Sequence, residues 1–254
     1  MRVPDEIRQC VVFVALPSTL PDGPQQLRFV GTAFFVSVPS ENVWYVYLVT
    51  AKHVATKLEG QTFFVRINSK DGKYKLVVGQ VVRWWYHPTD DSVDVALIPF
   101  APAVEMFDYK TLPVSMFLTD DIIQQKGIGT GDEVFITGLF AHLSGTARNL
   151  PIIRMGNIAM MPDELVPTSI GNIEAYLIEA RSIGGLSGSP VFVRETAGLG
   201  HGSFYLLGLM HGHWDIPVEN RRDMEDINSI SSINVGIAIV IPAKKYLKFL
   251  INQV

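Results

Sequence analysis

The sequence predicts an all-β fold, closed barrels or a sandwich, followed by a C-terminal α-helix. Short runs rich in β-branched and aromatic residues recur along the chain with turn residues between them, about six in each half. Strand-like and helix-like segments do not alternate, which argues against a parallel α/β sheet. A length of 254 residues suits one large β domain or two smaller units.

In the first half the runs are "CVVFVAL", "LRFVGTAFFVSV", "VWYVYLVTA", "TFFVRINS", "YKLVVGQVVRWW" and "VDVALIPF", separated by turns such as "PDG" and "SKDGK". After a looser stretch around residues 101 to 125 the pattern resumes with "DEVFITGLF", "LPIIRMGNIAMM", "EAYLIEA", "SPVFV", "FYLLGLMHG" and "NVGIAIVI". The last segment is the helix: Pro242 suits a first turn, and Ala243, Tyr246, Leu247, Leu250 and Ile251 fall on one face. Residues 215–233 form a long mixed-charge connection, either a flap over a cleft or a plain surface insertion.

A net charge of −4 without a basic stripe gives no reason to expect nucleic acid or an anionic membrane as partner. The single cysteine, Cys10, lies in an apolar run and reads as a buried hydrophobe; it excludes an intrachain disulfide. The N-terminus lacks the order of a signal peptide and no apolar run approaches 18 residues, so the expected location is cytoplasmic.

The stretch "GGLSGSP", residues 184 to 190, stands between two apolar runs. It is either a tight turn or a loop whose backbone N–H groups face a carbonyl oxygen beside Ser187. A serine hydroxyl needs a base to take its proton and an acid to orient that base. Only six histidines are available. The chain order Ser, Asp, His within a G-x-S-x-G elbow fails, because position 189 is Ser189 and no histidine follows Asp215, Asp223 or Asp226. The order His, Asp, Ser fits: His53 ends the apolar run in "LVTAKHVA", and Asp94 stands at the mouth of another in "DDSVDVALI". Asp90 and Asp91 are rivals to Asp94, which directly precedes the apolar "VALI".

The motifs "GTAFFV", "LVTAKHV", "DVALI", "GGLSGSPVF" and "VGIAIVIP", in this order, resemble the trypsin-like (chymotrypsin-fold) serine peptidases, in particular their disulfide-poor bacterial branch with the glutamyl endopeptidases and HtrA proteases. The resemblance spans roughly residues 28 to 250 and implies a single domain of two antiparallel six-stranded β-barrels, 1–110 the N-terminal barrel and 111–254 the C-terminal barrel with the terminal helix. It implies His53 as general base, Asp94 as the acid orienting it, Ser187 as nucleophile, and the N–H groups of Gly185 and Ser187 as oxyanion hole. It implies a protein or peptide substrate, with a regulatory protein as an optional partner, and neither cofactor nor metal. Leu186 stands where trypsin has an aspartate that pairs with a released N-terminus, so activation by that ion pair is not expected. Ser189 replaces the glycine of many relatives.

By the same resemblance, Arg181, Ser182, His211, Gly212 and His213 wall the primary specificity pocket. Cationic or histidine walls would favour an acidic substrate side chain; with Arg181 in solvent the pocket would take an apolar one. His211, His213 and Asp215 recur at period two, and in a continuous strand they would share a face able to hold zinc. His87, His142 and His201 read as structural, and Trp84 with Trp85 as strand packing plus one exposed ring. Two alternatives to an active peptidase stay open: a catalytically silent trypsin-like binding module, and a peptidase ordered only by a partner.

Overall fold

The computed structural model describes residues 3–18, 26–79, 83–168, 170–180, 184–195, 202–217 and 232–253. A short helix α1 (Asp5–Gln9) leads into strands β1 (Val11–Ser18), β2 (Gln26–Ser40) and β3 (Val43–Thr50). Helix α2 (Lys52–Leu58) follows, then β4 (Phe63–Asn68), β5 (Tyr74–Gly79), β6 (Trp85–Tyr86), β7 (Ala96–Pro99) and β8 (Leu112–Pro113). A 3₁₀ turn at Val114–Met116 and helix α3 (Asp120–Lys126) connect to the second half. There β9 (Glu133–Gly138), β10 (Ile152–Met160), β11 (Leu165–Thr168), β12 (Gly171–Glu174) and β13 (Tyr176–Glu179) precede β14 (Pro190–Arg194), β15 (Phe204–Pro217), β16 (Ser232–Pro242) and helix α4 (Ala243–Ile251).

The strands of the first half form a barrel-like sheet in the order β5-β4-β1-β2-β3-β7-β6, with β8 pairing parallel to β2. The second half closes fully, in the order β10-β13-β16-β15-β14-β9. The fold is therefore the expected all-β pair of barrel units with a terminal helix, the first unit an open curl. β11 and β12 form a separate hairpin. The side chains of Phe13, Phe34, Phe35, Leu48 and Trp84 are fully buried in the first unit, and those of Ile136, Val191 and Val240 in the second. These are the apolar runs of the sequence, and closing two such sheets is what takes their aromatic and branched side chains out of water.

Three local differences from the sequence reading have simple causes. The looser stretch holds α3, capped by Thr119 and ended by Gly127 at φ 64°. Pro242 precedes α4 as its cap with ψ 136°, and the buried face is Ala243, Tyr246, Phe249 and Leu250 while Ile251 is exposed. Tyr246 meets Phe117 edge-on at 5.4 Å and Phe249 meets the His87 ring at 5.9 Å, contacts that set the buried side of α4. Third, β15 and β16 run further than expected: 215–217 and 232–233 are paired strand, and the rest of the proposed flap lies outside the described residues.

Cys10 is buried and its thiol donates to the Ile7 carbonyl, while burial pushes its pKa up, as an inert hydrophobe requires. Trp84 is buried and Trp85 packs partly exposed against the core. His87 accepts from the Asp90 N–H, His142 lies edge-on to Phe140, and His201 falls outside the described residues. No described helix is long and apolar enough to cross a membrane.

Candidate active site

The apolar strand β3 ends at Thr50, and Ala51, still extended, starts α2. Val54, Ala55 and Leu58 bury one side of this short helix, so His53, on its first turn, is held at the sheet end with its side chain about one-third exposed. Asp94 is placed just before β7 between the fully buried Val93 and Val95, and is itself only 2% exposed. The two meet twice: the His53 backbone N–H donates to Asp94 Oδ1 at 2.9 Å, and His53 Nδ1 lies 2.7 Å from Oδ2. The rival carboxylates are engaged elsewhere, Asp90 with Ser92 and Lys245, and Asp91 with Lys52.

A second imidazole reaches the same oxygen: His211 Nδ1 lies 2.5 Å from Asp94 Oδ2, and the two rings stand edge to face at 5.6 Å. Burial disfavours the charged carboxylate, but hydrogen bonds from His211 and His53, with electrostatic attraction to both rings, outweigh it and hold the Asp94 pKa at about 2. Nothing in the sequence pattern singled out this contact. It arises because β15 is irregular against β16 between Met210 and Gly212 and again between His213 and Asp215. The first of these places the extra residue, His211, on β15 and breaks the period of two there, so His211 turns to Asp94 while His213 Nε2 pairs with Asp215 Oδ2 at 3.3 Å. The three-residue zinc face of the continuous-strand reading is thereby lost. Among the described residues, the compact group with ligand atoms within 4.8 Å is His53, Asp94 and His211. Its contacts to Asp94 Oδ2, at 2.7 and 2.5 Å, are hydrogen-bond distances.

The Ser187 loop is pinned to both units. Thr32 N–H donates to the Ser187 carbonyl at 3.0 Å, Gly188 N–H to Met210, and Ser189 N–H back to Leu186. The buried Thr32 hydroxyl donates to the Gly185 carbonyl at 2.8 Å and accepts from Leu139 N–H at 2.9 Å. Leu186 is fully buried, so apolar packing anchors this part of the loop. Gly185 has φ 101° and Gly188 φ 82°, values that only glycine adopts freely. Among the described residues, the N–H groups of Gly185 and Ser187 donate to no other group. The Ser187 hydroxyl donates to the His211 carbonyl at 3.4 Å, and no hydrogen bond joins it to the His53 ring.

Ser187 and His53 line one cavity of about 640 Å³ together with His211, Gly212 and His213. Its remaining walls are Pro167, Thr168 and Ile170 of the β11–β12 hairpin, and Trp214, Asp215 and Ile239. The hairpin wall was not foreseen, since "LVPT" and "GNIE" are short and only weakly apolar. Arg181 and Ser182 lie outside the described residues.

No family profile matches the chain, and no curated protein matches it. Among solved structures it is similar to the MamO protease domain from Magnetospirillum magneticum in its apo form, with a TM-score of 0.55 and 16% identity over 98% of this chain and 97% of that one. The fold is that of a chymotrypsin-like protease domain.

Proposed function

We propose that this protein is a serine endopeptidase, cytoplasmic and of the bacterial type that its motifs resemble. The observation that carries the reading is the double hydrogen bond from His53 to the buried Asp94, beside a cavity that Ser187 shares. Donation from Nδ1 to an ionised carboxylate leaves Nε2 as the lone-pair nitrogen. In this reading Ser187 Oγ turns from the His211 carbonyl toward Nε2, gives up its proton as it attacks the peptide carbonyl, and His53 passes that proton to the leaving amine. Water then hydrolyses the acyl-enzyme. The free N–H groups of Gly185 and Ser187 receive the oxyanion.

The walls Pro167, Ile170, Trp214 and Ile239 are apolar, and His211 and His213 are each already paired with a carboxylate. Both features support an apolar side chain at the cut over an acidic one. A proteome-derived peptide library gives the test: wild type cuts it, and Ser187→Ala loses about a million-fold in turnover. Equal cleavage by the two would remove Ser187 from the mechanism.

A second reading draws on the Ser187–His211 hydrogen bond, which points the hydroxyl away from its base. A peptidase ordered by a partner would show weak fluorophosphonate labelling of Ser187 alone and strong labelling with the partner. A silent binding module would stay unlabelled in both conditions.

A further inference from the structure

We infer that His211 is a positioning residue acting on both ends of the proposed relay, its ring fixing Asp94 and its carbonyl holding the Ser187 hydroxyl. The inference rests on the peptidase reading and adds to it a residue that the relay itself does not contain.

The argument begins with the backbone. Met210 N–H donates to the Ser189 carbonyl, and the Met210 carbonyl accepts from Gly188 N–H, so the residue before His211 is tied to the nucleophile loop at two points. In the pairing of β15 with β16, Met210 faces Val240 and Gly212 faces Ile239, which leaves His211 as the extra residue of a bulge. A bulged residue drops out of the ladder and its side chain is re-aimed. Here the re-aimed ring meets Asp94 and the carbonyl, released from the strand, accepts from Ser187.

The chemistry of the shared oxygen follows. An ionised carboxylate only accepts, so both imidazoles must present Nδ1–H to Oδ2. This sets the tautomer of His53 as well as that of His211. Asp94 Oδ1 is held by the His53 backbone N–H, and Oδ2 by two rings, so the carboxylate has no free rotation left. His211 thus keeps Oδ2 where His53 needs it when the imidazolium forms. Its side chain is only 10% exposed, which shields this contact from competing water.

The test compares wild type, His211→Leu and His211→Asn, each labelled with ¹⁵N-histidine. Wild type is expected to show two low-field Nδ1–H proton signals, and each variant one. His211→Leu is expected to lower kcat by roughly 10- to 100-fold, the scale of a misplaced catalytic group. His211→Asn, whose amide N–H can reach Oδ2, recovers most of that loss, which a purely space-filling role would not predict. Where His211→Leu does not fold, His211→Ala carries the same comparison with Asn. An active wild type with one low-field signal, a Leu variant with wild-type kcat, or an Asn variant no better than Leu would each overturn the inference. An inactive wild type with both signals sinks the peptidase reading while upholding the shared carboxylate; an inactive wild type with one signal sinks both.

Discussion

His53 and His211 donate to one oxygen of Asp94, at 2.7 and 2.5 Å, from helix α2 of the first unit and strand β15 of the second. A single buried carboxylate is therefore the point where the two halves of the molecule agree on the position of the candidate base. Three N–H groups converge on it, and they keep it ionised despite its burial.

The first expectation concerns which aspartate does this work. Asp94→Asn keeps the shape but offers an N–H where His53 and His211 each need an acceptor, so His53 settles in the wrong tautomer. Turnover should fall about 10⁴-fold, as loss of the orienting acid does in related triads. Asp91→Asn removes only an exposed pair with Lys52 and should stay within twofold. Steady-state kinetics on one peptide substrate decides it; an Asp91 variant as damaged as the Asp94 variant would reverse the assignment.

Acid should reveal the same contact through stability. The Asp94 carboxyl titrates at about 2 when folded, below its ordinary 3.8, so its contribution is fully present above that ordinary value and is lost as pH falls through about 2. The size is about 2 kcal/mol. Urea midpoints of wild type and Asp94→Asn, measured from neutral pH down, should draw together across this acid window. A gap that does not change with pH would mean the carboxylate is not held by its partners.

How much of this was legible in the sequence differs from residue to residue. The run that buries Leu48 and Val49 and the one that buries Leu97 and Ile98 announced their strands by composition alone, and His53 and Asp94 could be placed at strand ends because those runs stop there. α3 went unpredicted: Thr119, Asp120, Asp121, Lys126 and Gly127 stand where start and stop signals belong, but its seven residues are too few to show an apolar period. His211 could be placed in the pocket wall but not against Asp94. Its direction depends on a bulge, and a bulge is a decision of the pairing between two strands that neither strand's pattern records. Of the expected pocket wall, His211, Gly212 and His213 do line the cavity, whereas the β11–β12 hairpin opposite them went unforeseen because it reaches the cleft only through tertiary packing.

The Thr32 hydroxyl is a strut between the two units, donating to Gly185 O and accepting from Leu139 N–H inside a fully buried site. Thr32→Val keeps the volume and leaves both groups unpaired, at a cost of about 1–3 kcal/mol. Because Gly185 carries a proposed oxyanion donor, fluorophosphonate labelling of the folded variant should slow as well. Chemical denaturation and labelling rates read the two effects separately, and unchanged stability would show that water replaces the strut.

Three neighbouring glycines should respond to alanine in three different ways, and the ordering tests the geometry of the Ser187 loop. A Cβ at Gly188 would lie 2.2 Å from the Thr32 carbonyl oxygen and 2.4 Å from Thr50 Oγ1, with φ 82°. Neither atom can retreat, since Thr50 Oγ1 itself donates to that carbonyl at 2.7 Å within the buried seam. Gly188→Ala should therefore cost more than about 4 kcal/mol. At Gly185 the nearest atom is the Leu139 carbonyl oxygen at 3.0 Å and φ is 101°, so the main penalty is backbone strain of about 1–3 kcal/mol. Relieving that strain turns the Gly185 N–H, so probe labelling of Ser187 should drop further than stability does. A Cβ at Gly184 meets nothing within 4 Å, and Gly184→Ala should stay within about 0.5 kcal/mol of wild type. Thermal melts give the stability order and probe labelling the functional one. If Gly188→Ala proved as benign as Gly184→Ala, the loop would not pass between Thr32 and Thr50, and the placement of Ser187 beside His53 would fall with it.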